Sequence, residues 1–402
     1  MRYNKQLIPA TAFLCVFLCV LCVSCTKQGL KTVVMGDNAA GNVSEAAHSG
    51  KAYKINYFNV IDNKPVNEML FGWLDKDNTA AVVDKQDDYL TIEAINYKYH
   101  FSKEIMKITS DMPGYSLSPD GEKIAYVKGE RLFIKDIQAE KDKEIGQIHP
   151  LGRSSISISW SNNSRFITLA VISYPNGIEQ VSVYDNTVQK MYEISLKKES
   201  AAASELVPAK TLNYNVTISD DGTKLMINSL YEDGEYKIGY LEHLYKLNRE
   251  TFLPETEIKI SSAYIGNACF IDNNRLIYLN MRSGSLNIYN AETGEDSEIY
   301  KFDKNSMKYQ YFKASNDGKA IVFLKYLQDG TVGIYEAEIQ NNALENERMI
   351  YEDFVPNNIC WSGDNKKVLL SGRYAYSEKT DKARQQLSPS YVSLGNVIIE
   401  LN

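Results

Sequence analysis

One pattern recurs seven times along this chain: an apolar or aromatic residue, a short polar turn carrying Asp, Asn or Gly, then a run of strand-forming residues. The turns are Trp73-Leu-Asp-Lys-Asp77, Leu117-Ser-Pro-Asp120, Trp160-Ser-Asn-Asn163, Ile218-Ser-Asp-Asp221, Phe270-Ile-Asp-Asn273, Ala314-Ser-Asn-Asp317 and Trp361-Ser-Gly-Asp364. Their spacings are 43, 43, 58, 52, 44 and 47 residues. A period in the mid-forties suits a four-stranded propeller blade, and the amphipathic helices that helical repeats need are absent.

The turn residues have a physical reason. Asp-Gly and Asn-Asn accept the positive φ of a tight hairpin, and Asp or Asn side chains bond their own backbone. Each turn precedes a run apolar on both faces, at 79–83, 123–127, 166–171, 224–230, 275–281, 320–326 and 367–371, as a strand between two sheets must be. A third strand follows at 131–137, 180–184 and 332–339, with a more polar fourth at 143–148, 191–194, 255–260 and 297–300, as expected from a dry inner strand to a wet edge. The seventh repeat has a third strand at 396–401 and then the chain ends. The segment 53–59 precedes the first repeat without a partner, and is expected to supply that missing outer strand and close the ring. The fold expected is an all-β, seven-bladed propeller over 52–402. Six or eight blades also fit if the wider spacings around the fourth repeat hide an irregular unit.

The Ser-x-Asp-Gly turns resemble the repeats of TolB-type propellers, relatives of the WD-repeat family. Leu117-Ser-Pro-Asp-Gly-Glu-Lys-Ile-Ala-Tyr-Val127 carries the likeness best, and it extends over roughly 52–402. The resemblance implies the fold and a habit of binding proteins, peptides or small ligands. It carries no catalytic residue with it.

The N-terminus has the layout of a secretory signal: Arg2 and Lys5, an uncharged apolar stretch from Leu7 to Val23, then Ser24-Cys25. The run Leu21-Cys22-Val23-Ser24-Cys25 resembles the lipobox of bacterial lipoproteins, with Cys22 where Leu is commonest. The resemblance implies a signal peptide at 1–24 and a mature chain that starts at a diacylglyceryl-modified Cys25. Two alternatives are an ordinary cleaved signal and a retained membrane span, for which the stretch is short. The segment 25–51, rich in Gly, Ala, Asn and Ser, reads as a flexible tether holding the body about 25 to 30 Å from the anchor.

Loss of the acid-free leader takes the formal charge from −7 to −9, which argues against nucleic acid or anionic lipid as a general electrostatic partner. Only Cys269 and Cys360 lie in the body; this is no disulfide scaffold, and both read as small core residues. His48, His100, His149 and His243 make no HxxH or HExxH pair, and no Gly-x-Ser-x-Gly elbow occurs. Asp75-Lys-Asp77 alternates oxygens but lacks the Gly and closing Glu of an EF-hand loop. No phosphate-cradling glycine loop occurs, and no metal or cofactor is expected.

In a propeller the turns between strands one and two, and three and four, share one face; the turns between two and three and the crossovers share the other. Two long insertions fall on this second face: 195–213 between blades three and four, and 373–392 within blade seven. The latter carries Arg373, Tyr374, Tyr376, Lys379, Lys382, Arg384 and Tyr391, an aromatic and basic set suited to a protein or peptide contact. The reading is a lipid-anchored binding or scaffolding propeller on the extracytoplasmic face of the membrane, holding a protein, peptide or cell-wall ligand. The alternative is a lactonase-like or lyase-like enzyme with its site in the central channel.

Overall fold

The repeated turns fold as hairpins, and each hairpin seeds a four-stranded antiparallel sheet. The computed structural model describes residues 54–60, 68–85, 89–99, 101–149, 154–173, 177–194, 210–232, 238–260, 265–302, 311–327, 332–352, 354–374 and 394–401. Cys25 and the tether lie outside them. Seven sheets of four strands make a seven-bladed β-propeller, and the fourth repeat is an ordinary blade of long strands.

Five blades share one turn. Ser118, Ser161, Ser219, Ser315 and Ser362 each donate a hydroxyl hydrogen bond of 2.5 to 2.7 Å to the Asp or Asn two residues on. Each also accepts from the backbone N–H five residues on, at 2.9 to 3.0 Å. The residue between these partners takes positive φ: Gly121, Ser164, Gly222, Gly318 and Asn365. In blades 1 and 5 the serine position holds Leu74 and Ile271, and Asp75 and Asp272 instead accept from the N–H groups two and three residues on. The Asn-Asn pairs therefore do not supply the positive φ expected of them: in blade 3 Ser164 does, and in blade 5 neither asparagine needs it.

Burial follows strand order. The second strand of blade 2, Lys123–Lys128, is buried throughout its centre, whereas the fourth, Lys141–Gln147, is mostly exposed. The core is a set of seams between blades rather than one central mass. Val127 and Leu132 meet Leu169 and Val171 between blades 2 and 3. Phe166 and Val183 meet Val216 and Ile227 between blades 3 and 4. Fully burying such a side chain stabilises the fold by about 1.5 to 3 kcal/mol.

The ring closes as the sequence predicts. Lys54–Val60 pairs antiparallel with Leu394–Glu400, from Lys54↔Glu400 to Val60↔Gly395, as the outer strand of blade 7. At the seam between blades 7 and 1, Leu70 packs with Leu369 and Ile398. The Leu70 N–H donates to Asn396 Oδ1 at 3.2 Å, and Ser371 Oγ lies 2.6 Å from the Leu70 carbonyl. A covalent ring is thus replaced by one strand pairing and one packed, hydrogen-bonded seam.

Candidate functional site

The first strands of the blades surround the axis, and Gly114–Leu117 lies against Ser154–Trp160. One residue before the apolar end of each strand, the repeats give an equivalent position. Small neutral groups occupy it in six blades: Gly72, the hydroxyls of Ser116, Ser159 and Thr217, and the thiols of Cys269 and Cys360. In blade 6 the position holds Lys313, which is exposed, while its neighbours Phe312 and Ala314 are buried in the seam with blade 5.

Indole groups fix this level. Trp361 Nε1–H donates to the Lys313 carbonyl at 3.0 Å, and Trp73 and Trp160 make the same bond to the carbonyls of Cys360 and Ser116 at 3.1 and 3.2 Å. Each tryptophan ends a first strand and reaches the preceding blade. Cys269 and Cys360 are unbridged. Burial pushes both thiols up, and the Lys313 charge acting on both offsets part of that rise.

Below this level the turns crowd the mouth of the channel. Neighbouring turns are linked by bonds from Asp120 N–H to Ser164 Oγ, from Asn163 N–H to Asp220 Oδ1 and from Asp221 N–H to Asn273 Oδ1. Burial pushes the Asp220 carboxyl up, against the pull of the N–H groups of Asn163 and Asn162. Contacts also skip a blade. Asn162 Nδ2 donates to the Phe270 carbonyl at 2.9 Å, from blade 3 to blade 5. A Cβ on Gly363 of blade 7 would stand 3.9 Å from the Pro119 carbonyl of blade 2. The turn face is drawn in across the axis.

That opposite face is where the long insertions attach. The strands flanking them end there, at Ile194 and Lys210 and at Tyr374 and Leu394. Arg373 and Tyr374 are the last residues of the second strand of blade 7, with Arg373 in register with Val355 and Leu394. Tyr376, Lys379, Lys382, Arg384 and Tyr391 lie outside the described residues.

The remaining candidates are separate. His243 Nδ1 pairs with Glu257 at 2.7 Å on the ring of Tyr245. Asp75 and Asp77 belong to the blade 1 turn, and Asp77 pairs with Lys98 at 2.5 Å. A cavity of about 230 Å³ lies beside blade 4, lined by Met226, Leu244, Ile258 and Ile260 with Glu257 and Lys259. Among the described residues no three His, Cys, Asp or Glu side chains are grouped to hold a metal. Two features escape a reading by motif. One is Lys313, visible only when the repeats are aligned by their turns and compared one residue upstream. The other is a pair of exposed aromatics on the turn face, Tyr99 and Phe101, 75% and 59% exposed.

No protein-family profile matches the chain, and no curated protein matches its sequence. Among solved structures, the oligogalacturonate lyase of Vibrio parahaemolyticus is similar at a TM-score of 0.56 and 10% identity, over 86% of this chain and 97% of that one. TolB from Acinetobacter baumannii is similar at 0.38 and 11%, over 70% of this chain and 65% of that one. The tricorn protease is similar at 0.48 and 12% over 72% of this chain, which spans 31% of that protein. At these identities the likeness is one of fold.

Proposed function

We propose that the chain is a lipid-anchored, extracytoplasmic propeller that binds a protein, peptide or cell-envelope ligand on its insertion-bearing face. The observation that carries this reading is the lining of the ring. The seven first strands contain no histidine and a single acid, Glu68, at the far end of its strand. Acid–base chemistry needs paired titratable groups within reach of one substrate, and besides Glu68 the polar side chains of these strands are hydroxyls, amides, the thiols of Cys269 and Cys360 and the lysines Lys210 and Lys313. The lipobox-like run ending at Cys25 supports the anchor, and the crowded turn face supports approach from the side of the insertions.

Membrane pull-downs test the binding face. A partner captured by the full chain should be lost on deletion of 374–390; identical partners from both proteins would overturn this choice of face. Cys25→Ser should abolish labelling by radioactive palmitate and release the protein from the membrane fraction. The enzyme alternative gains support from the fold of the lyase alone. Stoichiometric calcium or zinc in the purified protein would favour it.

A further inference from the structure

We infer that the turn face of the ring is seated on the membrane that carries the anchor, with Tyr99 and Phe101 of blade 1, Val188 of blade 3 and Leu253 of blade 4 entering its headgroup region. The inference rests on the reading of Cys25 as the lipidation site and adds which way the propeller faces.

Single exposed apolar side chains are ordinary on a protein surface, so their placement rather than their number must decide. Among the described residues five large apolar side chains are exposed, and four of them, Tyr99, Phe101, Val188 and Leu253, stand in or beside the turn between the third and fourth strands of a blade. These turns all open on the face that is drawn in across the axis. The fifth, Leu90, lies at the other end of blade 1, where its third strand begins. The three turns are spread over the ring, so their exposed tips offer a broad contact plane rather than a single point.

Each turn is also held from within, which presents the exposed side chain to solvent instead of letting it fold back. Asn96 Oδ1 accepts from the Lys98 and Tyr99 N–H groups, and Asp185 Oδ1 from those of Thr187 and Val188. Asn248 Oδ1 accepts from those of Glu250 and Thr251, while Phe252 turns inward against Phe166 and Tyr192 and Leu253 remains outside.

The course of the chain supplies the partner. Lys54 is in register with Glu400, at the turn-face end of the third strand of blade 7, so residues 25–53 join the propeller on this face, one blade from Tyr99. A coil of that length spans about 25 to 30 Å on average. Seating the opposite face on the bilayer would make the tether first run the height of a blade, about 23 Å for the seven residues of Lys54–Val60. Tyrosine rings settle at the headgroup level, and apolar side chains gain from leaving water there. Lys98 and Lys103 beside the two aromatics are paired with Asp77 and Glu140, and the chain is acidic at −7, so apolar contact rather than attraction to anionic lipid holds the face down. The insertion-bearing face then points away from the bilayer, toward its ligand.

The test reconstitutes the full chain, with its own anchor, in phosphatidylcholine vesicles with and without nitroxide-bearing lipid. Cys269 and Cys360 are desolvated, so an introduced thiol takes the label. A fluorophore is placed on Val188→Cys at the turn face or on Leu90→Cys at the other end. The probe at 188 should be quenched at least about threefold more than that at 90, since interfacial side chains reach about 5 to 10 Å into the headgroup and acyl boundary. Tyr99→Ser with Phe101→Ser should cut quenching at 188 at least about twofold at an unchanged melting temperature, because both side chains are exposed. Added phosphatidylglycerol should not strengthen it. Equal quenching at the two positions, stronger quenching at 90, no loss in the double variant or a rise with phosphatidylglycerol overturns the seating. Flotation separates the two readings. A chain that does not float with the vesicles overturns both the anchor and the seating, and one that floats with the 188 probe unquenched overturns the seating alone. Cys25→Ser that still floats with position 188 quenched would sink the anchor and support the seating.

Discussion

Gly318 shows how much a single turn residue carries. It sits at φ +68°, and a Cβ there would fall 1.9 Å from the Ile271 carbonyl of the preceding blade. Gly129 has φ +59° and open space within 4 Å of where a methyl would stand. Gly129→Ala should cost about 1 kcal/mol from backbone strain alone, whereas Gly318→Ala should cost about 3 kcal/mol or more, because the blades must also separate. Urea denaturation of the two variants measures the difference; equal losses would mean that the turn face is loosely packed. The indole bonds give a gentler probe. Trp361→Phe keeps an aromatic ring and removes the donor to the Lys313 carbonyl, with an expected loss of about 1 kcal/mol. At this scale the sequence is a good guide to turns. Cys269 and Cys360, read from it as small core residues, are desolvated enough that burial raises both thiols, and both should be alkylated slowly in the native protein and quickly in urea.

Elements are legible because their signals are short-range. Alternation, apolar runs and turn residues place the second strands of all seven blades within three residues of their observed ends. The outer strand of blade 7 is legible by counting alone: Lys54–Val60 pairs with Leu394–Glu400 although more than three hundred residues separate them. Deleting 54–60 should therefore expose an edge strand and open the seam at Leu70 and Leu369. Size-exclusion chromatography and thermal melting should show association and a lowered midpoint; a monomer of unchanged stability would show that the seam closes without its strand. The insertions at 195–213 and 373–392 behave differently. Their composition names their chemistry, but nothing periodic fixes where Tyr376 or Arg384 points.

Over the whole molecule, the carboxylates of the turns act together. Desolvation raises the pKa of Asp185, Asp221, Asp272 and Asp364, but hydrogen bonds outweigh it and hold each below the usual 3.8. For Asp185 the partner is Arg165 at 2.7 Å, with the N–H groups of Thr187 and Val188. A group whose folded pKa is depressed contributes stability above its unfolded pKa and loses it as pH falls through the folded value. Asp77 and Glu140 are also held down, by Lys98 and Lys103, while Asp220, raised by burial, works the other way, one against six. Stability should thus be level near pH 5 to 7 and fall below about pH 4. Asp185→Asn should be less stable at neutral pH and should shed part of the acid-dependent slope, which urea midpoints across pH will record. An unchanged slope would assign the acid sensitivity to other groups.

The blade as a unit, seven repeated turns, the strand that closes the ring and the face on which the insertions attach can all be read from the order of residues. Each follows from turn chemistry, from side-chain alternation or from counting, and all three act within one blade or along the chain. The exact count of blades, which the wide spacings leave at six, seven or eight, is settled by the seven sheets. What the blades do to one another is settled in three dimensions. The bond from Asn162 to Phe270 crosses an intervening blade, and the Cβ position of Gly363 in blade 7 comes within 3.9 Å of the Pro119 carbonyl of blade 2. Those relations are set by how seven twisted sheets tilt around a common axis, a geometry that no single repeat contains.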